Sequence, residues 1–550
     1  MRILVIGAVA AGTSAAAKAR RNDDSAEIVI YEKDTDISYS GCGLPYYIGG
    51  EIKDIGELTP RDSIFFKKKY NIDVFTGFDV LKIDVKNKEL TVKNLSTNEV
   101  FKDNYDKLVI ATGATAFVPN VSGIDKENVF FLRNVQSARN IRRFVEEKKP
   151  QNAVIAGTGF IGFEMLENLM LDGINVSIIE KQSKITPNLD EDMATFLETA
   201  LLKKNINIIK NTGIVEIHDA KVILDDGREL ASDMVIMATG VKPNIILAKE
   251  AGIEIGVTGA IKVNKKMQTN IEDIYSCGDC IETFSVVTGK AVYRPLGSTA
   301  NKTGRIAGDV LSGGISEYRG NLSTGIFKLF DLAIASTGLS EKEAKEEGYE
   351  IVTCHNIKYD KPEYFNGKEM LIKAIADKVT QKLLGVQIIG YEGVDKRIDV
   401  FVTLITYGAK VGDLFHLDLA YAPPFSTTKD PVHYTGMILD NILNKNRPVI
   451  TAKKAQDLID KGEKMQVIDA RINKQYNECH VDRAVNIPHA ELRKELETLD
   501  KDLLTITYCN KGVTGNASQN ILINHGFNKV YNLSGGHKFY SATKTKLIKK

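Results

Sequence analysis

The sequence predicts an α/β protein of several domains, in which short apolar strands alternate with helices. Three observations predict it. The chain has 550 residues and a mass of 60.7 kDa. At roughly 150 residues per domain, this length is too great for a single hydrophobic core. Two apolar strands, at residues 3–6 and 153–156, each run into a glycine-rich turn, a helix and a second strand. A similar alternation restarts after Pro448.

Composition and charge exclude several classes of protein. Lys+Arg number 72 and Asp+Glu 71, a net charge of +1, so nothing in the overall balance recruits nucleic acid or an acidic membrane. Every apolar run is interrupted by charge before the roughly 18 residues of a membrane span. The six cysteines are few and scattered, which indicates a reducing compartment, and we expect a cytoplasmic protein.

The first turn predicts a dinucleotide site. Glycines let the backbone approach a pyrophosphate, the helix N-terminus favours its charge, and an acid about 20 residues later binds a ribose hydroxyl. Glu32, at the end of the strand at 28–31, is in the position of that acid, and Val9 replaces the middle glycine of the usual pattern. The turn consists of Gly7, Ala8, Val9, Ala10, Ala11 and Gly12.

The second turn carries the complete G-x-G-x-x-G pattern. The strand at 175–179 leads into Glu180, whose carboxylate would repel a 2′-phosphate, so we expect NADH rather than NADPH, with Lys181 and Lys184 nearby. Two such units in one chain predict two dinucleotide sites. The turn consists of Gly157, Thr158, Gly159, Phe160, Ile161 and Gly162.

Cys42 lies between glycines in an aromatic, turn-rich segment, residues 37–47, just after Glu32. It has no C-x-x-x-x-C partner, so we expect it to cycle as a mixed disulfide, a persulfide or a sulfenic acid. Cys277 and Cys280 have C-x-x-C spacing, but no second pair completes a zinc site, and we give them no chemistry. Cys354 and Cys479 are interpreted as structural.

Several segments resemble the FAD-dependent pyridine nucleotide-disulfide reductases. Apolar strands end in Ala-Thr-Gly at 111–113 and 238–240, and residues 269–279 match the family's second flavin motif. Around Cys42 the chain resembles the single-cysteine branch of coenzyme A disulfide reductases and NADH oxidases. Further likeness extends through 295–302, 337–340, 393–399, 421–425 and 429–432.

The resemblance implies bound FAD and NAD(P)H, and coenzyme A as ligand or substrate. It implies a homodimer in which Tyr421, and more loosely Tyr364, reach the partner's cysteine and flavin. Gly41 departs from the asparagine of coenzyme A enzymes, and Asn301 from a histidine that some carry. Besides both turns and Glu180, the implied cofactor residues are Glu32, Lys33, Val80, Ala111, Thr112, Gly113, Arg133, Gly240, Asp279 and Ala300. The implied coenzyme A contacts are Ser14, Lys18, Arg21, Ser38, Asn301 and Lys429.

The C-terminal region resembles a rhodanese domain, with Cys509 to Thr514 at the place of its six-residue active loop. Backbone N–H groups of such a loop stabilise a thiolate or persulfide. Thr514 stands where many of these loops carry arginine, so cyanide or thiosulfate chemistry is an open question. The alternative is an inactive rhodanese-like module.

Together these observations predict two Rossmann-like nucleotide-binding domains, an α+β dimerisation domain and an α/β rhodanese-like domain. The predicted function is reduction of coenzyme A disulfide, coenzyme A persulfide or polysulfide through Cys42, with Cys509 handling sulfane sulfur. An NADH oxidase or peroxidase with a Cys42 sulfenic acid is one alternative, and a sulfur-carrier or redox-sensing protein is another. The expected domains are 1–118 and 241–322 (FAD), 119–240 (NAD(P)H), 323–447 (dimerisation) and 448–550 (rhodanese-like).

Overall fold

The computed structural model describes residues 1–544. The chain divides into two compact units. Unit 1 comprises Met1–Ser183 and Asn207–Asn321, and unit 2 comprises Lys184–Ile206 and the chain from Leu322 onward. Residues 545–550, the end of the predicted rhodanese-like domain, lie outside the described residues.

The first sheet of unit 1 is parallel and has five strands. Its central strand, Arg2–Ile6, is almost completely buried, as its apolar sequence predicts. Glu27–Glu32 lies on one side of this strand and Lys107–Ile110 on the other. The strands run in the order Ile274–Ser276, Lys107–Ile110, Arg2–Ile6, Glu27–Glu32 and Asp73–Thr76.

The second sheet of unit 1 repeats this plan around Asn152–Ala156, which pairs in parallel with Asn175–Glu180 and Met234–Met237. The order is Asn207–Lys210, Asn175–Glu180, Asn152–Ala156, Met234–Met237 and Val129–Phe130. The two Rossmann-like units expected from the glycine-rich turns are therefore present.

Smaller sheets and helices complete unit 1. The smaller sheets are Phe78–Asp84, Glu89–Asn94 and Val100–Asn104; Ile214–Ile217, Lys221–Leu224 and Glu229–Ala231; Ala114–Ala116 and Val241–Pro243; Thr283–Phe284 and Ala291–Val292. The α-helices are Ala11–Asn22, Leu44–Ile48, Ser63–Tyr70, Val135–Lys148, Phe160–Leu171, Ile246–Glu250 and Gly297–Leu311. The 3-10 turns are Gly41–Gly43 and Ile55–Leu58.

Unit 2 contains a five-stranded antiparallel sheet with long, largely buried strands. The order is Gly325–Leu329, Leu332–Gly338, Leu383–Gly390, Glu369–Asp377 and Ile351–Tyr359. Its helices are Glu341–Glu346, Val394–Thr406 and Pro431–Asn444, with 3-10 turns at Glu363–Phe365 and Val411–His416.

A second sheet of unit 2 is parallel and forms the rhodanese-like α/β fold expected after Pro448. The order is Val449–Ile450, Val530–Leu533, Leu504–Tyr508, Met465–Asp469 and Ala484–Asn486. Its helices are Ala452–Asp460, Asn473–Glu478, Val513–Asn524 and Gly536–Lys544, with a 3-10 turn at Leu496–Thr498. The predicted α/β fold class is thus confirmed.

The helix Glu191–Leu202 falls inside the stretch predicted as the NAD(P)H domain but belongs to unit 2. Lys373, which is 1% exposed, joins it to the antiparallel sheet, with its Nζ 2.7 Å from Asp192 Oδ1 and 3.1 Å from Asp190 Oδ2. His355 Nε2 lies 2.9 Å from Asp192 Oδ2, and His355 Nδ1 lies 2.9 Å from Ser534 Oγ. This network links three segments of unit 2.

Among residues 1–544, no helix combines the length and hydropathy that crossing a membrane requires.

Candidate active site

A cavity of about 870 Å³ opens at the carboxyl ends of the first sheet's strands. Crevices at this edge of a parallel sheet are the usual ligand sites of such folds, and the volume suits a large cofactor. The sequence-predicted residues that line it are Gly7, Val9, Ala10, Ala11, Glu32, Lys33, Val80, Ala111, Thr112, Gly113, Arg133, Asp279 and Ala300.

The first glycine turn packs closely against Ala111, which lines the cavity. Gly7 has a φ of +104°, and a Cβ on it would lie 2.3 Å from the Ala111 carbonyl oxygen. A Cβ on Gly12 would lie 1.9 Å from the Gly7 carbonyl oxygen, so both positions require glycine. The Glu32 carboxylate accepts a hydrogen bond of 2.6 Å from the Ala8 N–H. Ala8 and Gly12 belong to this turn but do not line the cavity.

Arg133 and Asp279 meet at the cavity wall. Arg133 Nη2 lies 2.9 Å from Asp279 Oδ2, and Arg133 Nε donates to the Ala114 carbonyl oxygen at 2.7 Å. Asp279 follows the strand Ile274–Ser276, whereas Glu32 ends a strand three positions away in the sheet. The cavity therefore has acidic groups at two separated places along one edge.

Asn244 joins the two Ala-Thr-Gly segments and was not predicted. Its Nδ2 donates to the Thr112 carbonyl oxygen at 2.7 Å, and Thr112 Oγ1 donates to the Asn244 carbonyl oxygen at 2.8 Å. Gly240 lies outside the cavity lining, and its carbonyl oxygen accepts from the Phe117 N–H. Further unpredicted lining residues include Tyr39, Lys242, Pro243, Ile246 and Glu250.

The second turn has the same backbone geometry as the first. Gly157 has a φ of +108°, and a Cβ on Gly162 would lie 2.0 Å from the Gly157 carbonyl oxygen. A Cβ on Gly159 would meet no atom within 4 Å, which leaves the backbone open to a ligand at the start of the helix Phe160–Leu171. Glu180 is buried and accepts from Thr158 Oγ1 at 2.5 Å.

Cys42 occupies the 3-10 turn Gly41–Gly43 and is exposed. Partial desolvation raises the pKa of its thiol, and the carboxylates of Glu164 and Asp279 add to this effect, whereas Arg133 opposes it. The side chains of unit 1 alone therefore favour the thiol over the thiolate.

Glu164 is a second residue that the sequence reasoning missed. Burial raises the pKa of its carboxyl to about 7, and Glu167 contributes in the same direction. It lies five residues after Gly159 on the helix Phe160–Leu171, which packs against the helix Leu44–Ile48 that follows Cys42. Its place just beyond the glycine turn is the signal that could have identified it.

Two of the predicted coenzyme A contacts in unit 1 touch each other, because Ser14 Oγ donates to Asn301 Oδ1 at 2.9 Å. Lys18 instead has internal partners, since its Nζ lies 2.9 Å from Asp309 Oδ1 and 2.8 Å from Asn22 Oδ1. Arg21 stacks on Tyr70, with its guanidinium carbon 5.4 Å from the ring centroid.

Ser38, the remaining predicted contact in unit 1, has a φ of 48° and donates its N–H to the Ala8 carbonyl oxygen. In unit 2, Lys429 is exposed. Tyr421 is 49% exposed and Tyr364 is 74% exposed, the latter in the turn Glu363–Phe365. Both tyrosines are therefore available to a partner.

Cys509 ends the strand Leu504–Tyr508 and is buried. Its carbonyl oxygen accepts from the His537 N–H at 2.8 Å, and the Asn510 carbonyl oxygen accepts from the Lys538 N–H at 3.0 Å. Gly512, with a φ of 94°, turns the chain into the helix Val513–Asn524. The six predicted loop residues thus form a closed turn between a strand and a helix N-terminus.

Arg471 supports this loop from the neighbouring strand. It forms a two-pronged ion pair with buried Asp469 and donates from Nη1 to Asn510 Oδ1 at 3.3 Å. Tyr508 also donates to Asp469, at 2.7 Å. Cys479 is exposed, and its carbonyl oxygen accepts from Arg471 Nη2.

Comparison with known protein families divides the chain in the same order. The sequence profile of the pyridine nucleotide-disulphide oxidoreductases matches residues 1–300, and that of their dimerisation domain matches residues 325–431. The profile of rhodanese-like domains matches residues 451–543.

Relatives and solved structures agree with these matches. The NAD(P)H sulfur oxidoreductase (CoA-dependent) of Pyrococcus furiosus is 35% identical over 448 residues, 80% of this chain and 99% of the relative. The crystal structure of reduced Bacillus anthracis CoADR-RHD matches with a TM-score of 0.96 and 36% identity, covering 99% of this chain and 98% of that one.

The structure of a NAD-dependent persulfide reductase from A. fulgidus matches with a TM-score of 0.92 and 36% identity, over 98% of this chain and 100% of that one. Both structural matches cover nearly the whole chain, whereas the match to the Pyrococcus relative covers 80% of it. The resemblance drawn from the sequence is confirmed: the chain belongs to the pyridine nucleotide-disulphide oxidoreductases and carries a C-terminal rhodanese-like domain.

Proposed function

We propose that this protein is an FAD-dependent NAD(P)H reductase of coenzyme A disulfide, coenzyme A persulfide or polysulfide, in which Cys42 is the redox centre. One observation carries the proposal. Within unit 1, Cys42 is exposed while Cys277 and Cys280 are buried, and burial raises the pKa of both buried thiols. Cys42 therefore has no second reactive thiol in its unit and takes its sulfur partner from the substrate.

The sulfur chemistry is a thiol-disulfide exchange. The Cys42 thiolate attacks the nearer sulfur of RS–SR′, the Cys42–SR bond forms, the substrate S–S bond breaks, and R′S⁻ leaves and takes a proton from water. R is coenzyme A, and R′ is coenzyme A or hydrogen. When bound, FAD and NAD(P)H supply the two electrons that return the mixed disulfide to the thiolate and release RS⁻.

The cavity of about 870 Å³ fits FAD in size and in the chemistry of its walls. Glu32 is placed to bind a ribose hydroxyl, and Asp279 with Arg133 to hold the ribityl side of the flavin. Gly159 offers open backbone for the pyrophosphate of NAD(P)H, and buried Glu180 disfavours a 2′-phosphate, which supports NADH. The remaining predicted cofactor residues complete these two sites.

The coenzyme A assignment rests on the names of relatives and on local geometry. The P. furiosus relative is named as CoA-dependent, and Ser14, Ser38 and Asn301 lie on helices or turns adjoining the first glycine turn. Lys18 and Arg21, on the helix Ala11–Asn22 of unit 1, supply cations for its phosphates. We propose that coenzyme A binds there with its sulfur directed to Cys42.

Cys509 is proposed to carry sulfane sulfur to or from the same substrate. The loop follows a strand and leads into the helix Val513–Asn524, an arrangement in which backbone N–H groups can stabilise a thiolate or persulfide. The Arg471–Asp469 pair fixes Asn510 beside it. These features favour an active domain over an inactive rhodanese-like module.

We propose a homodimer in a reducing compartment such as the cytoplasm. All six cysteines are free, and the dimerisation-domain match covers a region with large exposed aromatic side chains. These side chains are Tyr364, Phe365, Tyr391, Tyr407, Phe415, Tyr421 and Phe425. Light scattering of the purified protein tests the dimer.

The function is tested by following NADH consumption with coenzyme A persulfide in the absence of oxygen, and with oxygen alone. The proposal predicts rapid anaerobic turnover that Cys42→Ser abolishes. Turnover with oxygen alone and none with the persulfide would establish the NADH oxidase alternative. Turnover slower than about one per minute with either substrate, well below the usual enzyme range, would favour a carrier or sensor.

A further inference from the structure

We propose that the dimerisation domain completes the rhodanese-like site, and that Lys358 supplies the charge that attracts anionic sulfur donors or acceptors to Cys509. The class of ligand is an anion that bears sulfane sulfur. The sulfur-transfer role of Cys509 comes from the proposed function, but the composite site is inferred from contacts within unit 2.

The Cys509 loop lies directly against the antiparallel sheet. Lys511, two residues after Cys509, has its Nζ 4.2 Å from the ring centroid of Tyr359 and 2.5 Å from Glu369 Oε1. Lys538, whose N–H bonds the loop at Asn510, also pairs with Glu369. Tyr359 and Glu369 face each other in the register of the sheet. The C-terminal end of the strand Ile351–Tyr359 therefore lies beside the Cys509 loop.

Lys358 precedes Tyr359 on this strand and is half-buried. Its Nζ lies 3.6 Å from the ring centroid of Tyr434, which holds the ammonium in place. Burial lowers the pKa of Lys358 and so do the charges of Lys511 and Lys429, whereas the nearby Cys509 favours the charged lysine. Lys429, Lys511 and Cys509 thus each lie near enough to Lys358 to act on its charge.

The charges around this site do not cancel. Glu369 pairs with both Lys511 and Lys538, whereas in residues 1–544 neither Lys358 nor Lys429 has a carboxylate partner. An unneutralised, half-buried cation creates a local positive potential that concentrates anions. Thr514 adds no charge at the end of the loop, so the excess charge comes from the other domain.

The experiment measures alkylation of Cys509 in the full-length, FAD-loaded protein at low ionic strength, where screening is weak. Iodoacetamide is neutral and iodoacetate is an anion of similar size, and both react at the same sulfur. Mass spectrometry of the Cys509 peptide gives the two rates, and their ratio reports the local potential rather than the fraction of thiolate. No reductase turnover is needed, so failure here is distinct from failure of the proposed function.

We expect Lys358→Gln to lower the ratio of iodoacetate to iodoacetamide rates about threefold or more, and Lys358→Arg to restore it. Lys494→Gln removes an exposed lysine of the rhodanese-like domain, paired with Glu491, and should leave the ratio unchanged. A Lys358→Gln protein with an unchanged ratio, or with both rates changed equally, would overturn the proposal.

Two unreactive anions distinguish the source of the ligand. Inorganic phosphate stands for a small inorganic donor, and adenosine 3′,5′-bisphosphate for the nucleotide end of coenzyme A. Protection of Cys509 by phosphate in wild type but not in Lys358→Gln supports a small anion, and the same pattern with the nucleotide alone supports coenzyme A. Equal protection of wild type and Lys358→Gln by both anions would contradict the proposal.

Discussion

Arg133 Nη2 lies 2.9 Å from Asp279 Oδ2 in the wall of the large cavity. The two residues are 146 positions apart in sequence, so the pair connects distant parts of unit 1 at the proposed flavin site. A charge-assisted hydrogen bond of this length fixes the direction of the carboxylate. We therefore expect the pair to position Asp279 for the cofactor.

Arg133→Met should weaken FAD retention by roughly tenfold or more, because it leaves the Asp279 carboxylate without its partner in a partly desolvated wall. Arg133→Lys should restore part of the loss. The measurement is the flavin-to-protein absorbance ratio after gel filtration. Full retention by Arg133→Met would show that Asp279 does not depend on this pair.

Glu164→Gln should make Cys42 reactive at lower pH. The Glu164 carboxylate disfavours the Cys42 thiolate, and the pKa of Glu164 is raised to about 7, so this repulsion develops as pH rises through neutrality. The glutamine variant lacks it at every pH. Alkylation of the Cys42 peptide by iodoacetamide between pH 6 and pH 10, quantified by mass spectrometry, gives the comparison. Identical profiles would contradict the coupling.

Cys509→Ser should separate the two proposed activities. The loop cysteine lies in unit 2 and Cys42 in unit 1, so the variant should still reduce coenzyme A disulfide with NADH at close to the wild-type rate. The variant should no longer accept the outer sulfur of coenzyme A persulfide on the loop, a step that forms the Cys509 persulfide in the wild type and releases the coenzyme A thiol, and mass spectrometry of the loop peptide checks this. Equal loss of both activities would mean that Cys509 serves the reductase reaction itself.

Arg397→Met should destabilise the dimerisation domain by about 3 kcal/mol, the usual loss when one partner of a buried ion pair is removed. Arg397 Nη2 lies 2.8 Å from Asp430 Oδ2, and both side chains are almost fully buried. Chemical denaturation measures the effect. Lys494→Gln, which breaks an exposed pair, should cost less than about 1 kcal/mol.

The Arg397–Asp430 pair also predicts how the free energy of unfolding depends on pH. Burial acts to raise the pKa of Asp430, but hydrogen bonding and charge from Arg397 outweigh it and hold the pKa below its ordinary value. The pair therefore stabilises the fold above the pKa of an unfolded aspartate, and this stability is lost as pH falls through the folded value. The destabilisation by Arg397→Met should shrink in acid, and a constant difference down to pH 2 would contradict it.

The glycine turns were predictable because their requirement is local. Gly7 and Gly157 need a positive φ that other residues rarely adopt, and the flanking apolar strands follow from their hydrophobic runs. The resemblance to the family's motifs then predicted the fold, the cavity-lining residues Ala111 and Asp279, and the candidate cysteine. Each of these parts of the site lies within a short, contiguous segment of the sequence, so a local motif is enough to identify it.

Long-range contacts were not predictable in the same way. Asn244 reaches the site through hydrogen bonds to Thr112, and Glu164 acquires its environment from helix packing. The approach of Lys358 to the Cys509 loop depends on how two domains of unit 2 pack. Neither a periodicity nor a local motif encodes these partners, so only the three-dimensional structure identifies them.

The most direct test of the central claim is mass spectrometry of the full-length protein after exposure to coenzyme A disulfide without NADH. The account predicts one coenzyme A on the Cys42 peptide, released by dithiothreitol or by NADH, and none on Cys277 or Cys280. A protein that turns over coenzyme A disulfide with NADH, yet never carries coenzyme A on Cys42, would contradict it.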